Sequence, residues 1–185
     1  MVQVTNLYVS QKPNPASGFK TIVAAFNRSA STGAGFYDAF DVISDSTATA
    51  KSLVFLEAGR AGVVRNAQLA VSETVTASFI LYLFTNEPTN HIDGQAIACT
   101  TTDSRYCIGA YSFGNENKVQ LSSSLWLYRA ASRGIVAGAG FLEAGLPFAS
   151  PSQALFGLLV AEGAYTPAAS TQFQITLGIE AEDIR

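Results

Sequence analysis

The chain has 185 residues, a formal net charge of −3 and only 14% charged residues, against roughly a quarter in an average soluble domain. Its polar surface comes instead from 18 Ser, 15 Thr and 15 Gly, and its 48% hydrophobic content is too high for a disordered chain. The absence of clustered cations argues against a nucleic-acid surface, and no run approaches the roughly 20 apolar residues of a membrane-spanning helix.

The length suits one domain with an arm. The first residues, Met-Val-Gln-Val-Thr, lack a basic start and a long apolar run, so no secretory signal is expected there. Residues 2–10 read instead as a strand, followed by a Pro/Gly/Ser turn over 12–18. This gives an N-terminal arm over residues 1–20, suited to pairing with another sheet or subunit, and a β-domain over 21–185.

Strands are expected at 21–27, 36–43, 52–57 and 66–72, the last from Ala67, Leu69 and Val71 alternating with polar neighbours. Residues 79–84 and 155–160 are apolar on both faces, which suits strands covered on both sides or placed at a subunit contact. A further strand is expected at 106–113. Val119, Leu121, Leu125 and Leu127 share one parity and read as one more. Phe173, Ile175, Leu177 and Ile179 alternate with polar or small residues, as on a half-buried strand. Turn clusters separate these runs at 29–35, 45–50, 86–91, 114–117 and 163–169, and the Gly-rich 133–145 reads as a long loop. Helical stripes are nearly absent. The pattern is that of an all-β antiparallel sandwich or barrel.

Residue patterns that could carry chemistry are few. The one histidine, His91, lies in a loop signature with Asp93 two residues on, a weak metal pattern beside a plain surface-loop histidine. There is no nucleophile elbow and no phosphate-binding glycine loop. Asp38 with Asp41, and Glu57 with Glu73, are the carboxylate pairs available for glycoside hydrolysis, but a single tryptophan makes a poor sugar platform. Their plain reading is solvated carboxylates. Cys99 and Cys107 are spaced to face each other across a hairpin, and their plainer reading is two small buried thiols. No catalytic residue, cofactor or metal is expected.

The order of segments carries more. Gly33-Ala-Gly-Phe-Tyr-Asp-Ala-Phe-Asp-Val-Ile43 is followed by Gly62-Val-Val-Arg-Asn-Ala-Gln-Leu-Ala70, Phe79-Ile-Leu-Tyr-Leu-Phe-Thr-Asn-Glu-Pro88 and Ile92-Asp-Gly-Gln-Ala96. The chain closes with Gly145-Leu-Pro-Phe148, Leu155-Phe-Gly-Leu-Leu-Val160, Gly163-Ala-Tyr-Thr-Pro167 and Phe173-Gln-Ile-Thr-Leu-Gly-Ile179. Over about residues 33–180 this series resembles a family of tailed-bacteriophage structural proteins found near the major capsid protein. Some of its members look like head decoration, or cement, proteins with a jelly-roll-like sandwich that assemble as trimers on the shell.

The resemblance implies a jelly-roll-like β-sandwich and a non-enzymatic virion protein on the outer surface of the capsid, assembled in the host cytoplasm. The implied partner is the major capsid protein, and the implied working form a homotrimer. A tail, head-fibre or adsorption-apparatus role is the first alternative, and a carbohydrate-binding sandwich the second. Val4, Leu7, Tyr8 and Val9 of the arm, with Trp126 and Tyr128, are the candidate partner contacts. Their plain alternative is burial in the subunit's own core.

Overall fold

A computed structural model describes residues 18–28, 35–45, 52–73, 75–89, 91–130, 134–135, 141–142, 145–168 and 170–182. In chain order its strands are β1 (Phe19–Asn27), β2 (Val42–Ile43), β3 (Leu53–Phe55), β4 (Ala61–Val71), β5 (Phe79–Phe84), β6 (Cys107–Phe113) and β7 (Lys118–Ser122). There follow β8 (Leu125–Arg129), β9 (Gly134–Ile135), β10 (Phe141–Leu142), β11 (Leu146–Ala149), β12 (Leu155–Ala161) and β13 (Gln172–Glu182). One short helix, α1 (Thr101–Tyr106), precedes β6.

The strands form two antiparallel sheets. The first runs β1-β13-β4-β8-β7, with β11 beside the other half of β4; the second runs β10-β9-β6-β5-β12-β2, with β3 beside the other half of β12. The fold is therefore the all-β sandwich that the alternation implies. Phe173, Ile175, Leu177 and Ile179 of β13 are all fully buried, and Leu69 and Val71 of β4 join them from the neighbouring strand. Phe79, Leu81 and Leu83 of β5, Phe113 of β6 and Leu155 and Leu159 of β12 close the same core from the second sheet. Each such side chain contributes about 1.5–3 kcal/mol on leaving water.

The two-sided strands are covered on both sides by this chain itself. On the outer face of the second sheet, Val42, Phe84, Leu158 and Val160 form a smaller buried cluster with Tyr82, Phe156, Cys107 and Ile97. Ile97 belongs to the segment between β5 and β6, which lies over this face. That segment also seals the β2 edge: the Val42 amide donates to Gln95 O, the Gly94 amide to Val42 O and the Ile97 amide to Phe40 O, each at 2.9 Å.

Several expectations need correction. The stretch containing Val119 and Leu127 is a hairpin rather than one strand, turning at Ser123 and Ser124 so that Val119 pairs with Leu127. The hydroxyl-rich Ser122-Ser-Ser124 run supplies the turn. The Gly-rich 133–145 is not all loop, since Gly134 and Ile135 pair with Leu142 and Phe141. Of the expected strand 36–43, only Val42–Ile43 is strand, and Tyr37 and Asp41 make isolated bridges to Tyr165 and Ala96. The arm strand at 2–10 lies outside the described residues.

Candidate interaction surface

Three places hold the side chains that carry functional potential. The first is a buried polar network. Arg28, which directly follows β1, is 3% exposed, and its Nε donates to the Tyr37 hydroxyl at 2.9 Å. That hydroxyl donates onward to Asp93 Oδ1 at 2.7 Å, and the Ser44 amide donates to the same oxygen at 2.6 Å. Tyr37 stacks on Tyr165 with ring centroids 5.8 Å apart, and the Tyr165 hydroxyl donates to Glu73. The Ala168 amide donates to the other Glu73 oxygen at 2.6 Å.

Opposite charges at Arg28 and Asp93 are thus joined through a phenol, so neither is buried unpartnered. Burial, reinforced by Asp93, pushes the Tyr37 hydroxyl far above its ordinary value, and burial with Glu73 does the same at Tyr165. Both stay protonated donors at neutral pH. The network ties together segments distant in the chain, with the Asp93 and Glu73 carboxylates engaged as acceptors.

The second place is the segment over the outer face of the second sheet. Thr100 caps α1, its Oγ1 accepting from the Asp103 amide at 3.1 Å while the Asp103 carboxylate accepts from the Thr100 amide at 2.9 Å. Thr89 adds further hydrogen bonds to Asp103. This capping box was legible as Thr-x-x-Asp, although no helix was expected. His91 is 2% exposed rather than a surface-loop residue. Neither ring nitrogen finds a partner among the described residues. Asp93 is committed to Tyr37 and Ser44, and the described residues contain no group of three metal-ligating side chains. Cys99 and Cys107 are free thiols flanking α1, the first exposed and the second half-buried, and do not sit across a hairpin.

The carboxylate pairs serve separately. Asp41 Oδ2 accepts from the Asp38 amide at 2.8 Å within one turn. Glu73 holds Tyr165 and Ala168, while Glu57 borders an open depression with Leu56, Ser152 and Gln153.

The third place is the outer face of the first sheet, where one row of side chains is exposed or half-buried. Register places Val119, Leu127, Ala70, Gln174 and Ala25 in one row across β7, β8, β4, β13 and β1. The row contains no charge. It ends at β7, where Val119 and Leu121 are 49% and 56% exposed. The neighbouring Lys118 is turned inward, its ammonium 4.6 Å from the centre of the Trp126 ring and bonded to Val75 O.

Among the expected contacts, Val4, Leu7, Tyr8 and Val9 lie outside the described residues. Trp126 is half-buried against the main core with Lys118 over its ring. Tyr128 is wholly buried, edge-on to Phe79, with its hydroxyl near Val75 O and Ala77 O, so it belongs to the subunit's own core and offers no anchor. Parity along β8 sends Tyr128 inward and Leu127 outward; sequence reasoning picked the larger ring and missed the outward Leu127. No protein-family model matches the chain, and no curated protein matches it.

Proposed function

We propose that the chain is a non-enzymatic structural protein of a tailed-phage virion that decorates and stabilises the capsid shell. Its partner is the major capsid protein, its working form a homotrimer on the outer surface of the virion, and its sandwich jelly-roll-like. One observation carries the reading: one sheet is sealed by the chain itself, while among the described residues the other keeps a charge-free row, Val119–Leu127–Ala70–Gln174–Ala25, whose side chains are exposed or half-buried across its width. Such a face binds by apolar burial and shape rather than by charge, and many copies on one lattice strengthen weak single contacts. One face of the half-buried Trp126 ring is occupied by Lys118, which disfavours the carbohydrate reading.

The test is sedimentation of the purified chain with undecorated shells. Saturation at a fixed ratio to capsid subunits, little changed by salt and lost in Ala70→Arg, supports the reading. Indifference to shells overturns it, and binding at only a few copies per particle moves the chain to the tail or a fibre.

A further inference from the structure

We infer that residues 2–10 of one copy add as an extra strand to the open edge of β7 in a second copy. The acceptor is a sheet edge: β7 ends the first sheet, and among the described residues none pairs with its outer side. Edges of this kind recruit strands unless a charge, a proline or a covering segment blocks them. The β2 edge is blocked by residues 94–97. On β7 the one charged residue, Lys118, is folded onto Trp126, and Val119 and Leu121 stand exposed without a guard.

The donor is argued from composition and from where the described chain begins. Val2-Gln-Val-Thr-Asn-Leu-Tyr-Val-Ser10 is rich in β-branched and aromatic residues and has no charge, matching an uncharged edge. The chain enters β1 through Gly18, whose φ of +62° bends it at the junction, and Gly18 O accepts from the Ala181 amide at 3.1 Å. β1 is the opposite edge of the sheet that ends in β7. Four strand spacings, about 19 Å, separate them. The described chain therefore begins at the flank of the subunit opposite the acceptor edge. That is a head-to-tail arrangement, which closes into a ring when the rotation between copies permits. Alternate arm residues would then pack on Val119 and Leu121 as cross-strand neighbours. The inference concerns self-association and does not rest on the shell reading.

The experiment measures mass in solution by light scattering on the full chain, on Thr5→Pro and on the double variant Val119→Lys/Leu121→Lys. Thr5→Pro blocks strand pairing by the arm and leaves the sequence of the described sandwich unchanged. A closed oligomer for the full chain, and monomers with unchanged far-ultraviolet circular dichroism for both variants, are expected. A labelled peptide of residues 2–10 is then titrated into the Thr5→Pro chain, with and without the two lysines. Binding at least tenfold weaker in the lysine background is expected. Equal binding in both backgrounds overturns the inference. A monomeric full chain also overturns it, and places the arm on its own subunit if the peptide still distinguishes the two backgrounds.

Discussion

The Tyr37 hydroxyl stands between Arg28 and Asp93, accepting from the guanidinium at 2.9 Å and donating to the carboxylate at 2.7 Å. All three residues are at most 3% exposed. Removing the hydroxyl strips one partner from each of two buried charges, whereas an ordinary buried phenol loses a single bond. Tyr37→Phe is therefore expected to cost about 2–3 kcal/mol, above the roughly 1 kcal/mol of a neutral hydrogen bond. Tyr128→Phe is the internal control, because its hydroxyl meets only carbonyls, each at 3.3 Å. Urea denaturation of the two variants decides; equal losses would mean that the network couples no charges.

His91 gives the stability a pH dependence in the mildly acidic range. Burial holds its imidazole below the ordinary value of 6.5, with the Asp103 carboxylate opposing part of the effect. The unfolded chain then takes up the proton first as pH falls. Stability contributed by neutral His91 is complete above about pH 6.5 and drains away below it, towards the lower folded value. Asp103 acts in a different window. Burial raises it, but hydrogen bonds from Thr100 and Thr89 outweigh burial and hold it below 3.8, so its contribution is lost only in stronger acid. Melting temperatures measured from pH 7.5 to 5 should fall in the wild type and flatten in His91→Leu. Parallel slopes would refute the assignment.

Where local pattern decides the structure, the sequence was readable. Alternation located β4 and β13, and the doubly apolar runs located β5 and β12 together with their need for cover on both faces. What supplies that cover was not readable. Residues 86–91 carry Pro88 and two asparagines and look like plain turn, and nothing in their spacing says that residues 94–97 will run beside β2. The polar network was hidden for the same reason: Tyr37 and Asp93 are 56 positions apart, and only the tertiary fold joins them. The β7–β8 hairpin was missed because the register shift between Gln120 and Ser122 restores the parity that a two-residue turn inverts, so Val119 pairs with Leu127 and the run reads as continuous.

The two thiols should differ in access but share a weak reactivity. Burial pushes both above the ordinary value of 9.0; the Asp103 charge adds to the effect at Cys99, and a backbone hydrogen bond at Gly109 partly opposes it at Cys107. The thiolate is the reactive form, so at neutral pH both modify slowly and the exposed Cys99 leads. Titration with a chromogenic disulfide should give two phases, both accelerating as pH approaches 9. Cys99→Ser should remove the faster one. Loss of the slower phase instead would reverse the assignment.

Leu158 and Leu159 are adjacent in β12, each 1% exposed, yet they belong to different cores. Leu159 points between the sheets, and Leu158 lies beneath the segment over the outer face. Truncation of Leu159 opens a cavity in the main core and is expected to cost about 2–5 kcal/mol globally, so protection falls across β4 and β13 together. Truncation of Leu158 undermines the cover. The amides of Gly94 and Ile97, which bind that cover to β2 and its approach, should exchange faster in Leu158→Ala while the β13 amides keep most of their protection. Native-state hydrogen exchange separates the outcomes. If Leu158→Ala lowers every protected amide by one common factor, the cover and the sandwich unfold as a single unit, and the outer cluster is part of the main core.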